Sequence, residues 1–383
     1  MGAVARTLLR ETPVQRNRTC VGLDVHARSV WACAVDDESG EMRTQRISPK
    51  TAEIVKWARG LPGPTLVAYE AGPTGFGLAR ALIAAGVACE VLAPSKMDRP
   101  SGDRVKTDRR DAEWIARLVR IGELPVVVIP SEPQEAARDL VRAREDVRGD
   151  LMRARHRLSK LLLRQGFVYE DTAWTGTHEK WLRGMSFDRP GVQFAFDEAF
   201  DAVLTTTARR GRLDKQIELM AAEPAWSPVV SRLGCLRGVS TLTGFGLAVE
   251  IGDWHRFTGN SIGSFLGLTP SEYSSGDSRK VGSITKAGNG HARRLLVESS
   301  WHHKKRLRLS ADMRRRRDGQ SPEVRARADL ANRRLHHRWQ QLEARKKPPT
   351  IAAVAVAREL AGWCWSLAVM DGANNNSAMN RQG

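Results

Sequence analysis

Residues 19–47 read TCVGLDVHARSVWACAVDDESGEMRTQRI, and their pattern decides the fold. Residues 20–25 and 30–35 are short runs of small and β-branched apolar residues, 37–40 are turn formers, and 43–47 make a third segment. Together they predict a three-stranded meander. Working outward, helical spacing covers 51–59 and 77–85, whereas 65–69 and 88–92 read as strands. A polar loop at 101–106 leads into a helix from Thr107 or Asp108 to Ile121, with Thr107 as its N-cap.

The resulting order, β-β-β-α-β-α-β and then α, is similar to that of the ribonuclease H fold. Further along, Leu140, Val147, Leu151, Ala154, Leu158 and Leu161 fall on alternating three- and four-residue spacings, which predicts a long helix over 135–165. A second helical stretch at 196–222 can fold back on it, because the Pro-, Gly- and Trp-containing segment 174–191 permits a reversal. The expected product is an antiparallel coiled-coil arm, with an ordinary helical subdomain as the alternative. Residues 233–257 place GVSTLTGFG between two helical stretches, similar to a helix-hairpin-helix whose backbone amides hold a phosphate.

Composition narrows the function. The 383 residues carry 61 Lys and Arg against 43 Asp and Glu, a net charge of +18, which favours a polyanionic partner, nucleic acid first of all. Residues 301–350 hold 16 Lys or Arg against 5 Asp or Glu. No uninterrupted run of about 18 apolar residues is read, so no membrane role is expected. Residues 1–18 read as a flexible basic arm rather than a secretion signal. Five widely spaced cysteines without a CxxC pair read as reduced packing residues of a cytoplasmic protein.

Four carboxylates carry the chemistry. Asp24 ends the first strand and Glu70 ends the fourth, and in the expected sheet these strands are neighbours. Asp108 and Asp111 stand three apart at a helix start and so share one face. Clustered carboxylates repel unless cations neutralise them, and oxygen ligands suit Mg²⁺ or Mn²⁺, two ions clamping the attacking and leaving oxygens of a phosphodiester. The plain alternative is helix-dipole charge with ion pairs to Arg104, Arg109 or Arg110. His26 reads as a strand-face or supporting residue rather than a ligand.

The motifs GLDVH (22–26), YEAGPTG (69–75) and KTDRRDA (106–112) resemble the successive motifs of the DEDD insertion-sequence transposases, the IS110 family. FLGLTPSEYSSG (265–276) and GSITKAGNGHARR (282–294) resemble the family's second domain. The resemblance implies an α/β RuvC-like catalytic domain (19–130), a helical coiled-coil arm (131–225) and a mostly helical C-terminal transposase domain (226–370), with a disordered tail (371–383). It implies Asp24, Glu70, Asp108 and Asp111 as metal ligands and a serine nucleophile, Ser275, with Ser274 as competitor. It also implies element-junction and target DNA as substrates, a structured bridge RNA as guide, and a dimer or tetramer. Arg279, Lys280, Lys286, Arg293, Arg294 and Arg314, Arg315, Arg316 and Arg317 are the expected nucleic-acid contacts. A resolvase-type nuclease and a non-catalytic nucleic-acid-binding protein are the competing readings. An actin-like ATPase lacks its later glycine-rich loops here.

Overall fold

The computed structural model describes residues 18–97, 107–275 and 278–370. The expected basic arm up to residue 17, the 101–106 loop and the tail from 371 lie outside the described residues. The chain divides into two compact units after Ser131.

In the first unit, β1 (Thr19–Val25), β2 (Val30–Asp36) and β3 (Met42–Ile47) form the expected meander, followed by α1 (Thr51–Arg59), β4 (Thr65–Glu70), α2 (Gly77–Ala84), β5 (Ala88–Leu92), α3 (Asp108–Ile121) and the short β6 (Val126–Val127). The sheet is mixed and six-stranded, in the order β3-β2-β1-β4-β5-β6. β1 pairs antiparallel with β2 and parallel with β4, and Leu23 stands opposite Tyr69. Alternation along the strands sorts side chains between two layers. Val21, Leu23, Val67 and Tyr69 face the core shared with α1 and α2. Cys20 and Ala68 face α3 through Ala112, Ile115, Ala116 and Val119.

Gly22 lies on the α3 side, where a Cβ would run into the Ala112 carbonyl and the Ala116 amide. A side chain is thus excluded where helix meets strand, and the first turn of α3 comes down beside the carboxyl ends of β1 and β4. Thr107 caps that turn, its hydroxyl accepting from the Arg110 amide, and Gly122 ends the helix in the left-handed conformation.

The second unit opens with α4 (Glu132–Arg164), α5 (Gly176–Arg183) and α6 (Pro190–Ala221). Ala137 and Val141 pack with Ile217 and Ala221, and Leu158 and Leu161 with Phe196, so α4 and α6 run antiparallel. An Arg144–Asp214 ion pair of 2.7 Å ties them midway. The reversal between them contains α5, which the turn-forming composition hid.

There follow α7 (Ser227–Leu233), α8 (Thr241–Ile251), α9 (Ser261–Phe265), the hairpin β7 (Pro270–Ser275) and β8 (Ser278–Ile284), α10 (Gly290–Ser300), α11 (Ala311–Arg317), α12 (Pro322–Ala344) and α13 (Pro349–Ala368). The TLTGFG run does not separate two helices as expected. It forms the start of α8, capped by Ser240, because Gly244 and Gly246 let that helix approach Val230 and Leu295 closely. α13 is long and apolar enough on average to cross a membrane, although Arg358 and Glu359 interrupt its apolar run. Its Ala353, Val356, Leu360 and Cys364 are buried in the main core of this unit, which explains the apolar content. All five cysteines are buried and unpaired with one another.

Candidate active site

The face argument above places Asp24, two residues beyond Gly22, on the α3 side of β1. Glu70, two beyond Ala68, falls on the same side of β4, one step past the last paired residues Leu23 and Tyr69. The first turn of α3 brings Asp108, which is exposed, and Asp111, which is buried. The strand register and the Gly22 contact put the ends of β1 and β4 and the first turn of α3 on one side of the sheet.

The tightest grouping differs from the expected set. Ligand atoms of Asp24, His26 and Asp108 lie within 4.8 Å of one another, and neither Glu70 nor Asp111 joins them at that spacing. His26 Nε2 is 3.2 Å from Asp24 Oδ2 and 3.9 Å from Asp108 Oδ1. The His26 amide donates to the Ser29 carbonyl at 3.0 Å, which fixes the main chain of the β1–β2 turn there. Sequence reading had set His26 aside, although its place two residues after Asp24 was the available signal.

Electrostatics mark the same spot. Burial raises the Asp24 carboxyl above its ordinary range, His26 pulls it down, and Asp108 and Asp111 push it up again. Among the described residues no lysine or arginine pairs with Asp24 or Asp108. Arg109, a candidate partner on sequence grounds, is drawn instead to Glu113 at 2.9 Å.

In the second unit, Ser274 and Ser275 occupy the end of β7, their backbones opposite Arg279 and Ser278. The loop after β8 is tightly built: Lys286 has φ 55° and Gly288 φ 70°. Arg293 donates to the Leu266 and Ala287 carbonyls, each at 2.9 Å. The same loop delivers Asn289 and His291 to Glu250, whose side chain is fully buried. Arg142 grips both Glu250 oxygens at 3.2 Å. Burial alone would raise this carboxyl, but hydrogen bonds from His291, Arg142 and Asn289 outweigh it and hold it at about 2.

Several of the expected nucleic-acid contacts are tied up inside this unit. Arg293 holds the loop just described, and Arg294 pairs with Glu145 and Glu298. Arg316 binds the Val239 carbonyl and Asp312, and buried Arg317 is paired with Asp329 at 2.6 Å. Each of these four guanidiniums is already engaged by an acid or a carbonyl of its own unit, which leaves fewer of its donors for a phosphate. Exposed Lys286 and Arg314 remain open to solvent, as does Arg315 beside Asp312. Arg314 lines a cavity of about 860 Å³ with Arg237, Arg308 and the Ser240 end of α8.

Comparison with known proteins covers both units. Residues 21–167 match a transposase family model, that of the DEDD transposases of IS110, and residues 230–316 match the model of the transposase IS116/IS110/IS902 family. A putative transposase, y4qE, of Sinorhizobium fredii is 40% identical over 357 residues, 91% of this chain and 88% of that protein. The transposase for insertion sequence element IS1533 of Leptospira borgpetersenii is 32% identical, over 87% of this chain and 99% of its own length. A probable family 20 transposase of Pseudomonas aeruginosa is 26% identical, over 92% and 97%.

Proposed function

Since the chain belongs to the IS110 family of DEDD transposases, we propose that it cuts and rejoins DNA strands to move a genetic element, using the sheet-edge carboxylates and Ser275. The observation that carries this reading is the gathering of Asp24, His26 and Asp108, with no lysine or arginine paired to either acid among the described residues, and Glu70 and Asp111 on the same side of the sheet. The strand order β3-β2-β1-β4-β5 and the helix laid across β1 support a ribonuclease-H-like, RuvC-like domain.

The donor set fits a divalent cation: hard carboxylate oxygens lie at the end of the sheet, and among the described residues no lysine or arginine pairs with Asp24 or Asp108. Asp24, Glu70, Asp108 and Asp111 are the residues that would hold Mg²⁺ or Mn²⁺. When bound, such an ion supplies the positive charge that polarises a phosphodiester. Ser275 then acts as the nucleophile. Its oxygen forms a bond to phosphorus as it gives up its proton, while the bond to one strand oxygen breaks and that oxygen leaves protonated. Attack by the hydroxyl of an incoming strand reverses the exchange, so bond energy is conserved without ATP.

Lys286, Arg314 and Arg315, with Arg279 and Lys280 of β8, are the residues assigned to the phosphate backbone. The family implication of a structured bridge RNA is supported by the +18 charge. The antiparallel α4–α6 pair supports a dimerising arm, and a catalytic set divided between two domains suits completion across protomers.

The test is covalent trapping. Purified protein with its copurifying RNA, Mg²⁺ and labelled element-junction DNA is resolved on denaturing gels, for wild type, Ser275→Ala and Ser274→Ala. An adduct lost only in Ser275→Ala is expected. Metal-dependent nicks with no adduct in any of the three would overturn the serine step in favour of a resolvase-type nuclease.

A further inference from the structure

We propose that His26 is itself a ligand of the divalent cation, so that the centre is a mixed carboxylate–imidazole site favouring Mn²⁺ over Mg²⁺. The inference rests on the metal-dependent reading above and goes beyond its four carboxylates.

The geometry is that of a coordination shell. Neighbouring ligands bonded at about 2.1 Å to one ion stand roughly 3–3.5 Å apart. His26 Nε2 is 3.2 Å from Asp24 Oδ2, inside that range, and 3.9 Å from Asp108 Oδ1, a few tenths of an ångström beyond it, so a small closure of Asp108 would complete one side of such a shell. An ion shared by these two carboxylates would lie within reach of that nitrogen unless the ring turned away. Among the described residues the ring's polar partners are these two acids.

One nitrogen facing two acids is poorly served by hydrogen bonding alone, since its single proton can be given fully to only one of them. As a ligand, the same nitrogen presents a lone pair to a cation that both acids also bind. The backbone bond from His26 to Ser29 keeps the residue at the strand end where this happens. Imidazole is a softer donor than carboxylate, and Mg²⁺ keeps an all-oxygen shell far more strictly than Mn²⁺ does.

The experiment is electron paramagnetic resonance of Mn²⁺ bound to the full-length protein without nucleic acid, with electron spin-echo modulation reporting on directly bound ¹⁴N. The expected wild-type spectrum carries imidazole modulation, which disappears in His26→Gln. Mn²⁺ affinity should fall about 10-fold or more in that variant. Mg²⁺ affinity, from competition, should change by no more than about 3-fold. Wild-type modulation needs no variant to fold and tests the inference by itself. Its absence, with Mn²⁺ binding still lost in Asp24→Asn, would overturn the role of His26 and leave the metal centre standing. Mn²⁺ binding indifferent to Asp24→Asn would overturn both.

Discussion

Among the described residues a histidine stands between two carboxylates in each unit, at the same spacings. His26 is 3.2 Å from Asp24 and 3.9 Å from Asp108, and His291 is 3.2 Å from Glu250 and 3.9 Å from Glu145. The surroundings differ. His291 turns Nδ1 to one acid and Nε2 to the other, while Arg142 grips Glu250, and Arg148 and Arg294 hold Glu145. His26 turns one nitrogen to both acids, and no guanidinium pairs with either among the described residues. The His291 cluster is neutralised from within and locks the α10 loop to α4 and α8. The His26 cluster is short of positive charge among the described residues, which makes it a place for a cation rather than a brace.

The largest effect expected from this contrast is on chemistry. Asp24→Asn removes one negative charge from the cluster that has no lysine or arginine partner among the described residues. Cleavage of labelled junction DNA should drop by about 10³-fold or more, equivalent to at least ~4 kcal/mol in the barrier. Nucleic-acid binding in a filter assay should stay within about 2-fold, because the phosphate contacts assigned above lie on other residues. Cleavage retained in this variant would remove the distinction between the two clusters.

Glu250 tests the other half through stability. Its folded pKa of about 2 lies below the ordinary 4.5, so its contribution is fully present above about pH 4.5 and is lost as pH falls toward 2. The shift corresponds to roughly 3 kcal/mol. Denaturant unfolding between pH 6 and pH 3 should show wild-type stability falling more steeply than that of Glu250→Gln, which has no such proton to take up. Parallel pH profiles would mean that the arginine grip contributes nothing net. Glu250→Ala should cost about 3 kcal/mol at neutral pH, because it leaves the largely buried Arg138 and His291 without their acid.

What was legible in the sequence follows the range of the forces involved. The bounds of α1 and the Thr107 cap were readable because both are set by residues within one or two turns. The meander, and Asp24 and Glu70 at the ends of neighbouring strands, followed from alternation and the β1–β4 pairing. The α4 pattern was readable because Val147, Leu151, Ala154, Leu158 and Leu161 are buried on one stripe. What escaped depends on partners distant in sequence. Glu250 meets Asn289 and His291 some forty residues on, and nothing near it announces burial. Gly244 reads as a loop former until Val230 is seen packed against it. The basic block read as one surface, yet Arg317 closes on Asp329 inside the fold while Arg314, three residues earlier, faces solvent.

That last pair gives the smallest effect and the sharpest check on which cations are free. Arg314→Ala removes an exposed guanidinium from the cavity it shares with Arg237 and Arg308. If it neutralises one phosphate, the slope of log affinity against log salt should become shallower by about 1, with thermal stability unchanged. Arg317→Ala should do the opposite, lowering the melting temperature because Asp329 loses its partner, with little change in salt slope. Isothermal binding to labelled duplex DNA and to structured RNA, each across a salt series, separates the two variants and shows which polyanion the cavity meets. Equal slopes for wild type and Arg314→Ala on both ligands would place the backbone contacts elsewhere on the chain, with Lys286 the next exposed cation to test.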